Sequence, residues 1–186
     1  RDGIKGSVFN KEPGFVAGAK GYDPKIERCF LGADSWCNSP SQTVNYASCH
    51  DNNTLIDRIT LSRKDASREE LISMNKLAAA IYMTSEGIPF MQAGEELLRS
   101  KLNADGSFNE NSYNAGDKVN AIDYSSLAIE ENKDVYEYYK GLININPYEN
   151  LDDTHKNLLL NQIESLNFEL VNHNPKSNGF FLFFII

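Results

Sequence analysis

Two short apolar runs with a long periodic stretch between them organise the pattern of this chain. The first, residues 43–48, has β character and stops at His50-Asp51-Asn52, three polar side chains able to make directional hydrogen bonds. The second, Ile88-Pro89-Phe90-Met91-Gln92, ends in Ala93-Gly94-Glu95-Glu96. Between them Ser67-Arg68-Glu69-Glu70 has the form of a capping box, so a helix is predicted to start there. Leu71, Met74, Ala78 and Ile81 follow at helical spacing, and Gly87 with Pro89 marks the stop. Strand, helix and strand in this order predict a βαβ unit, with a parallel pair and a right-handed crossover.

The flanks are less regular. Residues 1–40 are punctuated by Pro13-Gly14, Gly18, Gly21, Pro24 and Gly32, which predicts loops interrupted by one short helix over 24–31, with Asp23 as its cap. Residues 101–123 are polar and rich in Asn, Gly and Ser. A loop of that length inside a compact domain is more often functional than idle. A helical stripe returns over 134–145 through Val135, Tyr138, Leu142 and Ile145, and Pro147 ends it. Residues 154–163 are predicted to form a short helix capped by Thr154. Beyond it, Leu166, Phe168 and Leu170 alternate with polar residues, and turn chemistry over 172–179 leads to an apolar run at 180–186, a hairpin pattern. The change from α/β alternation to antiparallel β divides the chain into 1–148 and 149–186.

Composition narrows the partners. A net charge of -8 over 186 residues argues against nucleic acid, whose phosphates need clustered Lys and Arg. No apolar run approaches the roughly 20 residues that span a bilayer, so no membrane partner is expected. Cys29, Cys37 and Cys49 form neither a metal-type pattern nor an even disulfide framework, although a Cys29–Cys37 bridge stays open. Unpaired thiols fit a reducing compartment and favour a cytoplasmic over a secreted location. Arg1 in place of an initiating Met and an uncapped apolar stretch at the other end are expected of a piece of a larger protein.

Functional side chains gather at the C-terminal ends of parallel strands, where the strand sets their direction and the loop leaves room for a ligand. His50, Asp51, Asn52, Gln92, Glu95 and Glu96 are therefore expected to face one opening. Asp51-Asn52-Asn53 as a plain turn and helix cap is the competing reading. Carboxylates, amides and aromatics without a metal-ligand cluster suit sugar hydroxyls, which donate and accept hydrogen bonds. Glycosidases place two carboxyl groups across the scissile bond, and Asp51 with Glu95 is the pair these residues offer.

Three long motifs make the chain recognisable. They are Tyr46-Ala47-Ser48-Cys49-His50-Asp51-Asn52-Asn53-Thr54-Leu55, Gly87-Ile88-Pro89-Phe90-Met91-Gln92-Ala93-Gly94-Glu95-Glu96 and Asn111-Ser112-Tyr113-Asn114-Ala115-Gly116-Asp117-Lys118-Val119-Asn120. In this order, and with the opening Arg1-Asp2-Gly3-Ile4-Lys5-Gly6-Ser7-Val8-Phe9-Asn10, they closely resemble type I pullulanases of the α-amylase superfamily, glycoside hydrolase family 13. The resemblance covers residues 1–145.

It implies an α/β fold: the last two strands and helices of a (β/α)₈ TIM barrel over 1–148, then the start of an antiparallel β domain over 149–186. It also replaces the Asp51 and Glu95 pair, because the family's nucleophilic Asp and acid/base Glu lie upstream of the segment matching Arg1. Asp51 matches the third family carboxylate, which hydrogen-bonds the sugar being cleaved, and His50 matches the neighbouring histidine. Glu95 and Glu96 match a Glu-Glu that holds the barrel rim together. Asn52, Arg99, Tyr113, Asp117 and Asn120 match substrate-binding positions.

The implied activity is retaining hydrolysis of α-1,6-glucosidic bonds in pullulan, glycogen or amylopectin, without a cofactor; a structural calcium ion in the parent protein stays open. α-1,4 hydrolysis of the amylase type and a non-catalytic role, glucan-binding or purely structural, are the alternatives. A chain without nucleophile or acid is expected to be inactive alone, and two strands without their neighbours are expected to fold poorly. Two departures stand out: Ile56 replaces a usual Trp, and the Arg-containing pattern of the last helix is missing around Ile145-Asn146-Pro147-Tyr148.

Overall fold

The computed structural model describes residues 1–7, 12–32 and 37–144. Its centre is the expected βαβ unit, in which β1 (Val44–Asn45) pairs in parallel with β2 (Ile88–Pro89), Val44 opposite Ile88 and Asn45 opposite Pro89. The ladder is shorter than the two apolar runs. Its last bond runs from the Phe90 amide to the Asn45 carbonyl at 2.8 Å, after which a Tyr46–Phe90 edge-to-face contact, 5.6 Å between centroids, takes over.

Short helix α1 (Asp2–Lys5) opens the chain, and α2 spans Asp23–Phe30. Asp23 is the first residue of α2 rather than its cap, because Tyr22 occupies the cap position and offers no side-chain bond. The chain then bends through Cys49–Asn53 into α3 (Leu55–Ser62). Thr54, not Asp51 or Asn52, caps α3 by accepting the Asp57 amide.

Helix α4 (Arg68–Thr84) starts as the sequence predicts. The Ser67 hydroxyl accepts the Glu70 amide at 3.2 Å, and the Glu70 carboxylate accepts the Ser67 amide at 2.7 Å. Its buried face runs through Leu71, Asn75, Ala78, Ala79, Tyr82 and Met83, while Met74 and Ile81 of the predicted stripe lie half-buried on its flank. The stripe is rotated because Asn75 and Tyr82, polar-tipped and so uncounted by hydropathy, find buried partners.

After β2 come a tight turn at Glu95–Leu97, the polar segment over 101–123 with short helix α5 (Asp117–Asn120), and α6 (Glu130–Asn144). Helices α4 and α6 pack together with Val135, Tyr139 and Leu142 facing inward, and Arg68–Glu131 and Lys76–Asp134 ion pairs cross their exposed edge. Tyr139 rather than Tyr138 is the buried tyrosine of α6. Tyr138 is half-buried at the edge of the core, with the Lys76 ammonium 5.2 Å from its ring centre.

One core joins these elements: Ile4, Val16, Ala47, Leu55, Ile56, Ile59, Leu71, Ala78, Tyr82, Leu98, Val135 and Leu142 are all buried in it. Cys29 and Cys49 carry free thiols, so the Cys29–Cys37 bridge is not formed. Ile145 of the last stripe, the 154–163 helix, the 172–179 hairpin and the division at 148 lie outside the described residues.

Candidate functional site

The loop that follows β1 is buried at both feet and exposed at its crest. Ser48 and Asn53 are buried, whereas the side chains of His50 and Asp51 are 81% and 65% exposed and stand side by side, Nε2 to Oδ2 3.5 Å. Asn52 between crest and foot takes the left-handed conformation at φ 67°, which Asn tolerates better than most residues. The crest therefore presents an imidazole and a carboxylate to solvent from a backbone fixed on either side.

Glu95 does not face an opening with Asp51. It is buried, and its two carboxylate oxygens accept the Ser48 hydroxyl and, at 2.9 Å, the Tyr82 hydroxyl. Burial pushes its carboxyl up to about 7, against the pull of those two donors and of Lys5. Glu96 is also buried and raised to about 7; it folds back to accept the Gly94 amide at 2.9 Å. These bonds tie the β1 loop, α4 and the turn after β2 together. Gly94 holds φ 98°, and a Cβ there would meet Arg99 Cδ at 2.6 Å, so the turn and Arg99 are packed as one piece.

The remaining predicted residues divide into two kinds. Tyr113 is 82% exposed and Asp117 is exposed, both on the 101–123 segment. Arg99 and Asn120 face inward. The Asn120 amide donates to the Ser112 and Ala115 carbonyls at 2.7 and 2.8 Å, closing the turn that carries Tyr113, and the Arg99 guanidinium donates to the Asn120 carbonyl. Burial lowers the Arg99 pKa, with Glu96 opposing.

Sequence reasoning passed over two residues that anchor this segment. Asp57 of α3, buried, accepts the Lys101 amide at 2.8 Å and the Ser100 hydroxyl at 2.5 Å. Lys101, buried in turn, donates from Nζ to the Ser112 hydroxyl at 2.7 Å. The available signal was Asp57 directly after the apolar pair Leu55-Ile56 in the first turn of a helix, where a carboxylate carried inward needs partners.

Beneath the loop, Thr54, Ile56, Asn75, Gln92, Leu98 and Arg99 line a crevice with no room for a water molecule. Asn75 Oδ1, Gln92 Oε1 and Arg99 Nε are buried there without a hydrogen-bond partner among the described residues. Ile56 is buried in the core, on the opposite side of Thr54 from the crest in sequence. No group of three or more His, Cys, Asp and Glu side chains among the described residues is arranged to hold a metal ion, and no described helix is long and apolar enough to cross a membrane.

No protein-family model matches the chain. The pullulanase of Bacillus subtilis is 30% identical over 152 residues, which cover 78% of this chain and 20% of that protein. Among solved structures, the pullulanase from Bacillus acidopullulyticus superposes with a TM-score of 0.72 at 40% identity, over 78% of this chain and 17% of that one. The pullulanase from Paenibacillus barengoltzii in complex with maltohexaose and α-cyclodextrin gives 0.71 at 38%, over 78% of this chain and 23% of its own. The chain thus spans about a fifth of the length of each of these three proteins. Both sequence and structure make it a pullulanase-related chain over 78% of its residues.

Proposed function

We propose that this chain forms part of a retaining α-glucan debranching hydrolase of the pullulanase type, contributing the last two strands and helices of its (β/α)₈ barrel over 1–148 and the start of a β domain over 149–186. The observation that carries the reading is the exposed His50–Asp51 crest at the end of β1, set beside a parallel β2 on an otherwise buried loop. In this reading Asp51 accepts hydrogen bonds from hydroxyls of the sugar at the cleaved bond. Those bonds strengthen as the ring flattens and gains positive charge, which lowers the barrier without Asp51 making a covalent bond. His50 donates to the same sugar, and Asn52 helps set the crest.

Tyr113 and Asp117 meet further glucose units, with Tyr113 offering a ring face and Asp117 an acceptor. Arg99 and Asn120 act on the same loop from behind. The half-exposed Val44 and Ile88 side chains on the two paired strands support a setting in which further strands of the barrel cover them. The nucleophile and the general acid come from those strands.

The test is to assay the full-length product of the gene on pullulan and on a linear α-1,4-glucan. Cleavage of pullulan at its α-1,6 bonds is expected. Cleavage of the linear glucan alone would establish the amylase-type alternative, and glucan binding without turnover the non-catalytic one.

A further inference from the structure

The crest is held at two points, and both holds are made by buried groups that touch no substrate position. At its first foot the Ser48 hydroxyl donates to Glu95, whose other oxygen is held by Tyr82 of α4 at 2.9 Å. At its second foot Lys5 of α1 donates from Nζ to the Asn53 carbonyl at 3.1 Å. Ser48, Asn53, Lys5, Glu95 and Tyr82 are all buried, and four residues, Cys49 to Asn52, arch between the two feet. A lysine buried to this extent is costly, and Lys5 is drawn down to about 8 by burial, with the attraction of Glu95 opposing. A packing role alone would be met by an apolar side chain at lower cost. The groups present instead are an amine and a carboxyl, one hydrogen-bonded to each foot.

We infer that Lys5, Ser48 and Glu95 form a two-point clamp that positions the His50–Asp51 crest, the three acting as positioning residues for the reaction. This rests on the reading of Asp51 given above. A crest displaced by a fraction of an ångström would still bind sugar through its other contacts, but would aim the carboxylate poorly at the developing charge.

The experiment uses the full-length protein with Ser48→Ala, which removes one hydroxyl from a site that accepts the smaller side chain, and separately Lys5→Met. Each is read in two ways: kcat and KM on pullulan, and the alkylation rate of Cys49 resolved by peptide mass spectrometry and normalised to exposed Cys29. Circular dichroism checks that each variant is folded. The expected result is a kcat roughly 10- to 100-fold lower with KM within about twofold, and several-fold faster alkylation of Cys49 in both variants. Faster alkylation with unchanged kcat would overturn the positioning role. A lower kcat with unchanged alkylation would overturn the clamp, as would two unchanged readouts. Should the wild-type protein leave pullulan intact, the proposed function fails, and the alkylation arm still decides whether the clamp exists.

Discussion

Removing the Asp57 carboxylate should loosen the whole 101–120 segment. Asp57→Ala deprives the Lys101 amide and the Ser100 hydroxyl of their acceptor, and both lie in or beside buried structure. A hydrogen bond to a charged group contributes about 1.5–3 kcal/mol, so two of them set an upper figure of about 3–6 kcal/mol. Against this stands the cost of burying the carboxylate, large enough to raise its pKa despite the two donors, so a net loss of about 2–4 kcal/mol is expected. Asp57→Asn is the informative partner. Its oxygen can serve the Lys101 amide while its NH₂ donates to the Ser100 hydroxyl, which accepts as well as donates. The asparagine variant should therefore lose about 1 kcal/mol or less.

The assay is hydrogen exchange over residues 99–120 of the full-length protein, with denaturant unfolding alongside, because the opening is local before it is global. Protection should fall in Asp57→Ala and survive in Asp57→Asn. Equal losses in the two variants, or none in Asp57→Ala, would refute the assignment of Asp57 as the anchor.

Ser67→Ala breaks the capping box of α4 and should cost about 1 kcal/mol in unfolding free energy, while a comparable loss from a change at exposed Lys64 would show that the cap is not the cause. The buried Glu95 should make stability fall as pH rises. Its folded-state pKa of about 7 exceeds the ordinary 4.5, so the folded protein binds the extra proton between those values. The contribution is full below about pH 4.5 and is lost as pH climbs through 7, on the order of 3 kcal/mol in all. Glu95→Gln should flatten the fall in melting temperature between pH 5 and 7, and an unchanged slope would show that Glu95 does not titrate there.

The frame of the fold was legible where local chemistry and burial agree. The Ser67 capping box placed the start of α4 to the residue, and the two apolar runs gave the parallel pair. Legibility failed where polar residues go inside. Asn75 and Tyr82 turned the buried face of α4 away from the predicted stripe, since hydropathy cannot register that Tyr139 and Glu95 wait to satisfy them. The same blindness made Glu95 look like the partner of Asp51 across an opening, when its strand-end position conceals a carboxylate bonded from both sides. Helix α1 has no periodic signal in its four residues, yet it delivers Lys5 to the loop. The crest itself was legible, because two polar residues at the end of an apolar run have few other places to go.

Kinetics of Asp51→Asn in the full-length protein test the central claim most directly. The substitution keeps the shape of the side chain and removes its charge, leaving the buried feet of the loop untouched. If Asp51 stabilises charge on the sugar ring, kcat on pullulan should fall by several orders of magnitude with a much smaller change in KM. A variant within about tenfold of the wild-type kcat would contradict the account and leave Asp51 as a residue of the turn.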